Sequence, residues 1–320
     1  MNYKFGLIAT AALLMACSSD NDTDPEPQPQ PSERRISVVV GENPMIPEGG
    51  AAKTRAAVTT TSTLSAFNMH GIYNNLSKDY NITKSNNNWT IDPNTWPDDA
   101  PNETKVPFYA HTSYIAQSGT SNNTTFQLNS GDPYVSFTVP EDAFNQHDLL
   151  VANTSASYTG SGNNVGTVHL VFDHACATVT FKVRMTEGLQ TALSGGKTLT
   201  VNTIKLYNAY NTGKYNYKTG WYDKGGSAYY TLNHTSLTNL TTTFEPLLDN
   251  QSKTNYLFMI PQKREPSEPF NPAKDLCIEV KYTISGGSEK TAYIPLNVDW
   301  KGGYEYLINI QLGTLHIEVE

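Results

Sequence analysis

The feature that most constrains this chain is hydrophobic alternation with a period of two, repeated in short runs and cut by turn residues. Ala175, Ala177, Val179, Phe181 and Val183 share one face of an extended segment, and Thr178, Thr180 and Lys182 share the other. Leu276, Ile278, Val280, Tyr282 and Ile284 repeat the pattern, and Ser285-Gly286-Gly287-Ser288 turns the chain back into Thr291 to Leu296. Tyr304, Tyr306, Ile308, Ile310 and Leu312 follow in phase, then Leu315, Ile317 and Val319. Side chains alternate across a strand, so this period predicts strands with one buried face. Long helical periodicity is nearly absent.

Earlier segments read the same way. Ile36 to Val40 is a first strand, and Gly41 to Arg55 a loop rich in Gly, Pro and Ala. Phe67 to Tyr73, Trp89 to Ile91, Val106 to Tyr114, Tyr134 to Val139 and Leu149 to Ala152 are further strands, with Asn86-Asn87-Asn88 a turn. Leu199 to Tyr207 alternates less tidily, and Tyr256 to Ile260 is a buried strand ended by Pro261. Tyr207 to Tyr230 is tyrosine-dense and reads as loop. The polar stretch 153–164 is the best internal boundary. The expected fold is all-β: a two-lobed antiparallel β-sandwich with few short helices, its lobes spanning 56–160 and 161–320.

The N-terminus carries a different signal. Lys4 precedes an apolar run from Phe5 to Ala16, too short to cross a bilayer as a helix, so 1–16 reads as a signal peptide. Leu14-Met15-Ala16-Cys17 places a bulky apolar residue three before a cysteine and a small one beside it, which resembles a bacterial lipobox. Cys17 is then the lipidation site, and acyl chains held at ~0.8 kcal/mol per buried methylene tie the precursor to outer-membrane lipid. Residues 17–35 are acidic and then Pro-alternating, an extended tether with almost nothing to bury. Acidic residues just behind the cysteine also resemble a surface-export signal.

Several chemistries find no support. The net charge is −8 without a basic cluster, which excludes nucleic acid as an expected partner. Ser194-Gly195-Gly196-Lys197-Thr198 lacks the upstream glycine of a phosphate loop and leads into a strand. The 7 histidines are scattered, without metal-ligand spacing, and no Gly-x-Ser-x-Gly elbow occurs. Cys176 and Cys277 both sit on the polar phase of their strands, and the sequence leaves open whether they pair. No cofactor and no catalysis are expected. Tyr215, Tyr217, Trp221 and Tyr222 are candidates for an adhesive or glycan-contacting surface, with packing between loops as the alternative.

Three features together resemble the fimbrillin-like family of Bacteroides-type pilus proteins: the lipobox at Cys17, the segment Phe172-Asp173-His174-Ala175-Cys176-Ala177-Thr178-Val179-Thr180-Phe181, and the ending Trp300-Lys301-Gly302-Gly303-Tyr304-Glu305-Tyr306-Leu307-Ile308. The last departs from the family spacing in carrying glycine at both 302 and 303.

The resemblance implies lobes of Greek-key, transthyretin-like type and a mechanism. A lipoprotein precursor at the outer membrane is cut by an arginine-specific protease, here between Arg55 and Ala56, in a loop within 36–55. The released piece carries strand Ile36, Val38, Val40. Another subunit's strand fills the groove, with Leu315, Ile317 and Val319 as candidate donor. The mature form stands at the cell surface in a fimbria. Its partners are other fimbrial subunits and a ligand on a host or bacterial surface. The short tail suits a tip or accessory subunit. The alternative is a monomeric surface glycan-binding lipoprotein.

Overall fold

The computed structural model describes residues 34–47, 63–112, 124–129, 132–159, 165–232, 234, 236–249, 255–313 and 317–319. Cys17, Arg55, Ala56 and Leu315, with the signal peptide and nearly all of the tether, lie outside the described residues.

In chain order the first strands are β1 (Arg35–Glu42), β2 (Ile46–Pro47), β3 (Ala66–Tyr73), β4 (Leu76–Ser85), β5 (Asn88–Asp92), β6 (Lys105–His111), β7 (Thr124–Asn129) and β8 (Asp132–Thr138). Then come β9 (Leu150–Ser157), β10 (Val165–His174), β11 (Ala177–Met185), the short helix α1 (Glu187–Ala192), β12 (Leu199–Ala209), β13 (Thr212–Asn216), β14 (Gly220–Gly225) and β15 (Ala228–Thr231). The chain continues through β16 (Glu245–Pro246), β17 (Tyr256–Met259), β18 (Lys263–Arg264), β19 (Cys277–Ile284), β20 (Lys290–Pro295), β21 (Val298–Asp299), β22 (Tyr304–Leu312) and β23 (Ile317–Val319). The protein is all-β, as expected.

A seven-stranded sheet runs β1-β10-β9-β6-β3-β4-β5. It rolls until its edge strands β1 and β5 touch, around a core of Phe67, Phe108, Phe172 and Trp96. The second core lies between the sheet β16-β11-β22-β2 and the sheet β15-β12-β19-β20, where Val179, Phe181 and Ile310 face Ile204, Leu206, Ile278 and Val280. A further sheet, β14-β13-β8-β7, adds Val135 and Phe137 to that core. The stretch 153–164 opens inside β9 and ends just before β10, and both strands belong to the seven-stranded sheet.

Local chemistry explains the hairpins. Asn74 and Asn75 (φ 48° and 62°), Asn86 and Asn87 (49° and 64°), and Ser285 and Gly286 (48° and 71°) each form a two-residue turn with both φ positive, which matches the strand twist. The Asn74-Asn75 turn makes β3 and β4 a continuous hairpin. The untidy phase of β12 is a register shift against β19 between Val201 and Thr203, which lets Val201 and Ile204 both point inward.

Four sequence readings need correction. Tyr207 to Tyr230 is not loop: it holds the end of β12, all of β13 and β14 and all but the last residue of β15. Gly41 and Glu42 complete β1, and Ile46–Pro47 forms β2, so the N-terminal loop is partly strand. Cys176 and Cys277 are not on a solvated face: both are fully buried free thiols. The start of β11 and the start of β19 are covered on both sides, which buries Thr178, Thr180 and Glu279 as well. Finally, pairing is not purely antiparallel, since β1 with β10, β11 with β22 and β2 with β22 run parallel.

Candidate assembly site

β1 is an edge strand. It pairs in parallel with β10 from Arg35↔Val165 to Glu42↔Phe172. Its alternation is the one the sequence shows: Ile36 is buried, Val38 and Val40 pack against the first core, and Val39 is 50% exposed. Ile36 stands opposite Gly166. A side chain there has no room, because a Cβ on Gly166 would lie 2.4 Å from the Trp96 ring. Trp96 therefore rests on bare backbone beneath the seat of β1.

Polar contacts reinforce the strand at both ends. The Arg34 side chain, buried, donates to the carbonyl of Ala100 and lies 5.6 Å from the centre of the Tyr158 ring. Trp96 N–H donates to the Arg34 carbonyl at 2.7 Å, and Ile36 N–H to Asn94 Oδ1 at 3.3 Å. Asn43 N–H donates to the Phe172 carbonyl at 2.8 Å, and its side-chain amide to Asp173 at 2.6 Å. Met45 packs on the second core, and Ile46 N–H reaches the Gly303 carbonyl at 2.7 Å as β2 joins β22. One segment thus covers an edge of the seven-stranded sheet and an edge of β22.

The two motifs of the sequence meet beneath this segment. Gly302 packs on the backbone of Ala175, where a Cβ would lie 2.6 Å from the carbonyl oxygen. Gly303 has φ +75° and donates to the Cys176 carbonyl at 3.0 Å. Both glycines are needed, the first for close approach and the second for its dihedral. A cleft of about 670 Å³ lies there between Pro44, His174, Tyr215, Trp221 and Trp300. His174 Nδ1 hydrogen-bonds Asp148, itself fully buried. Burial raises the Asp148 carboxyl, and for His174 burial pulls down while the Asp148 hydrogen bond and charge prevail and raise it.

The C-terminal strand occupies the same edge of β22 as β2. β11 flanks β22 from Glu305 to Leu312 on one side. The other side takes β2 at Tyr304–Glu305 and β23 at Ile310–Leu312. Ile317 and Val319 of the candidate donor therefore pair with Leu312 and Ile310 of their own chain.

The tyrosine-rich candidates fall on β13, β14 and the turn between them. Trp221 donates its Nε1–H to the Ala175 carbonyl at 2.7 Å and packs with Tyr215 against the second core. Tyr217 donates its hydroxyl to the Ala110 carbonyl at 3.3 Å. Tyr222 alone of the four is exposed, at 40%. Sequence reasoning missed Arg34, Trp96 and β2; Trp96 is an isolated aromatic between Asp92-Pro93 and Pro97-Asp98, and only its contacts reveal its place. No group of three or more His, Cys, Asp or Glu among the described residues is placed to hold a metal ion. No helix among them is long and apolar enough to cross a membrane.

The architecture is all-β, with an N-terminal segment that packs on the first core through β1 and reaches the second through Met45 and β2. The chain belongs to the fimbrillin-like family, whose profile matches residues 49–320. No curated protein matches the sequence. Among solved structures it is similar to a candidate cell adhesion protein from Bacteroides ovatus, at 13% identity over 90% of this chain and 95% of that one, TM-score 0.49. A candidate cell adhesion protein from Bacteroides eggerthii matches at 13% identity over 90% and 88%, TM-score 0.48. A fimbrial protein from Bacteroides ovatus matches at 12% identity over 88% of this chain and 50% of that one, TM-score 0.39. Family membership gives the chain a fimbrial role.

Proposed function

We propose that this chain is a structural subunit of a cell-surface fimbria, exported as a lipoprotein through Cys17, cut after Arg55 and polymerised by donor-strand exchange. The observation that carries the reading is the position of residues 34–47. They hold two edges through β1 and β2, and their covalent link to the rest of the chain passes through 48–62, which contains Arg55. Cleavage there leaves only edge pairing and side-chain packing to retain them. Departure of β1 exposes the backbone groups of β10 and the surface around Trp96, Leu170 and Phe172, a template for an incoming strand. Departure of β2 frees the edge of β22 next to β23, so that one event opens both sheets.

The lipid is then a delivery device. Cys17 and its tether leave with the propeptide, and the mature subunit begins at Ala56. The tail acts as donor by peeling Ile317–Val319 from β22, with Leu315 ahead of them. The competing reading, a monomeric glycan-binding lipoprotein using Trp221, has less support because the Trp221 indole N–H is already committed to Ala175.

Purified precursor treated with an arginine-specific protease tests the scheme. The expected result is a new N-terminus at Ala56, loss of the fragment ending at Arg55 and a ladder of oligomers, none of which appears with Arg55→Ala. Clean cleavage that yields only monomer, both alone and mixed with other fimbrial subunits, overturns it.

A further inference from the structure

Away from the N-terminal segment, the seven-stranded sheet meets the sheet of β7, β8, β13 and β14 through a group of rings. His70, Tyr109 and His111 come from the first, Phe126 and Tyr217 from the second side. Phe126 stacks on His70, with centroids 3.7 Å apart and planes 5° apart. Tyr217 packs edge-on against Tyr109 at 5.0 Å.

The ring distances fix how the two histidines meet. Centroid separations are 3.7 Å for His70–Phe126, 5.3 Å for His70–His111 and 6.4 Å for His111–Phe126. These form a nearly right-angled triangle with its corner at His70. The His70 and His111 planes agree within 12°. His111 therefore lies beside His70, edge to edge, and not above it. Their Nε2 atoms are 3.2 Å apart.

The other ring nitrogens set the tautomers. Nδ1 of His70 is 2.7 Å from the Asp79 carboxylate, and Nδ1 of His111 is 3.2 Å from the Thr112 carbonyl oxygen. A carboxylate and a carbonyl only accept, so each Nδ1 carries a hydrogen. A neutral imidazole has one N–H, which leaves two Nε2 lone pairs facing each other. His70 is 7% exposed and His111 2%, so the repulsion is little screened.

We propose that the His70–His111 pair binds one proton between its Nε2 atoms, and that this proton keeps the two sheets docked. The arrangement becomes an N–H···N hydrogen bond, and the resulting cation lies against the face of Phe126. Asp79 on β4 supplies the countercharge and also accepts from Ser77 Oγ at 2.7 Å. Among the described residues, the other titratable groups at the joint are Tyr109 on β6 and Tyr217 after β13, both raised by burial and therefore neutral phenols, with Asp132 of β8 acting on Tyr109. β7 contributes the Phe126 ring. A second proton is refused until strong acid: burial first, then the charge of His70, pushes His111 down to about 4.

Nitrogen-15 NMR of the full chain, labelled in histidine, tests this. At pH 7 the expected pattern is both Nδ1 protonated, plus one further proton on the Nε2 pair, with nuclear Overhauser contacts between the His70 and Phe126 rings. Those contacts should weaken as the pH is lowered through about 4. Asp79→Asn, a change at a largely exposed side chain, should remove the Nε2 proton at pH 7 without unfolding the protein. His111→Phe, which removes one half of the shared-proton site, should weaken the His70–Phe126 contacts already at pH 7. Two neutral imidazoles at pH 7 in the parent protein overturn the proposal. So do ring contacts indifferent to acid, a pair unchanged by Asp79→Asn, or stoichiometric zinc uptake that shifts both Nε2 signals.

Discussion

Trp96 lies against the bare backbone of Gly166, with its ring where a Cβ on that residue would sit, 2.4 Å from Cζ3 and 2.6 Å from Cε3. Gly166 is also the register partner of Ile36. Core aromatic, sheet backbone and N-terminal edge strand therefore meet at one place. Gly166→Ala should overpack it and destabilise the precursor by about 1–3 kcal/mol, as fully buried Trp96 has little room to retreat. Thermal unfolding checks this, and Trp96→Phe in the Gly166→Ala background should recover part of the loss.

Ile36 is the best-buried side chain of β1, at 3% exposure. Ile36→Ala should cost the precursor about 2–5 kcal/mol in urea unfolding. After cleavage at Arg55 the same substitution should hasten release of the 34–47 segment, read by size exclusion. A release rate unchanged from the parent protein would mean that Ile36 packing does not retain the strand.

Gly302 and Gly303 should fail differently. Gly302→Ala forces a backbone shift away from Ala175, so it should lose the Gly303–Cys176 hydrogen bond and about 1–3 kcal/mol. Gly303→Ala keeps its space but must hold φ near +75°, a cost of about 1–2 kcal/mol. Amide exchange at Gly303 separates the two, since only the first variant should expose that N–H.

Asp148 and His174 form a buried pair whose side chains are 0% and 2% exposed. Removing either partner alone should cost about 3–5 kcal/mol, because the other is left buried without its countercharge. Asp148→Ala/His174→Ala together should cost less than the two single effects combined. A double-mutant cycle with no coupling would rule out this view of the pair.

Acid should weaken the fold before the carboxylates titrate. His111 and His147 are lowered from 6.5 to about 4, chiefly by burial. Below 6.5 the unfolded chain takes up protons that these folded sites refuse, so stability falls as pH drops from 6.5 towards about 4 and levels beneath it. Asp79, lowered from 3.8 to about 2 first by its hydrogen bond to His70, adds a later loss as pH falls from 3.8 towards about 2. Urea midpoints taken between pH 7 and pH 4 should decline, and His147→Leu should flatten the decline.

Much of this was legible in the residues. The alternation in Ala175–Val183, Leu276–Ile284 and Tyr304–Leu312 appears as β11, β19 and β22. Ile36, Val38 and Val40 face the core as their phase demands. β4 escaped notice because Lys78 interrupts the apolar phase shared by Leu76, Tyr80 and Ile82, although Asn74-Asn75 already carried the hairpin turn. Cys176 and Cys277 misled because polar neighbours such as Thr178 and Glu279 suggest a solvated face, whereas layers on both sides of those strands bury them.

By itself, then, the sequence determined strands, turns, the face each strand would bury and the family. These are local properties, set by side-chain alternation and by which residues tolerate positive φ. Only the tertiary structure decided that β1 runs parallel beside β10, that β2 and β23 share an edge of β22, and that His70 meets His111 beneath Phe126. Edge pairing uses backbone groups common to every strand, so its partners are chosen by how the whole sheet rolls, which no short stretch of sequence encodes.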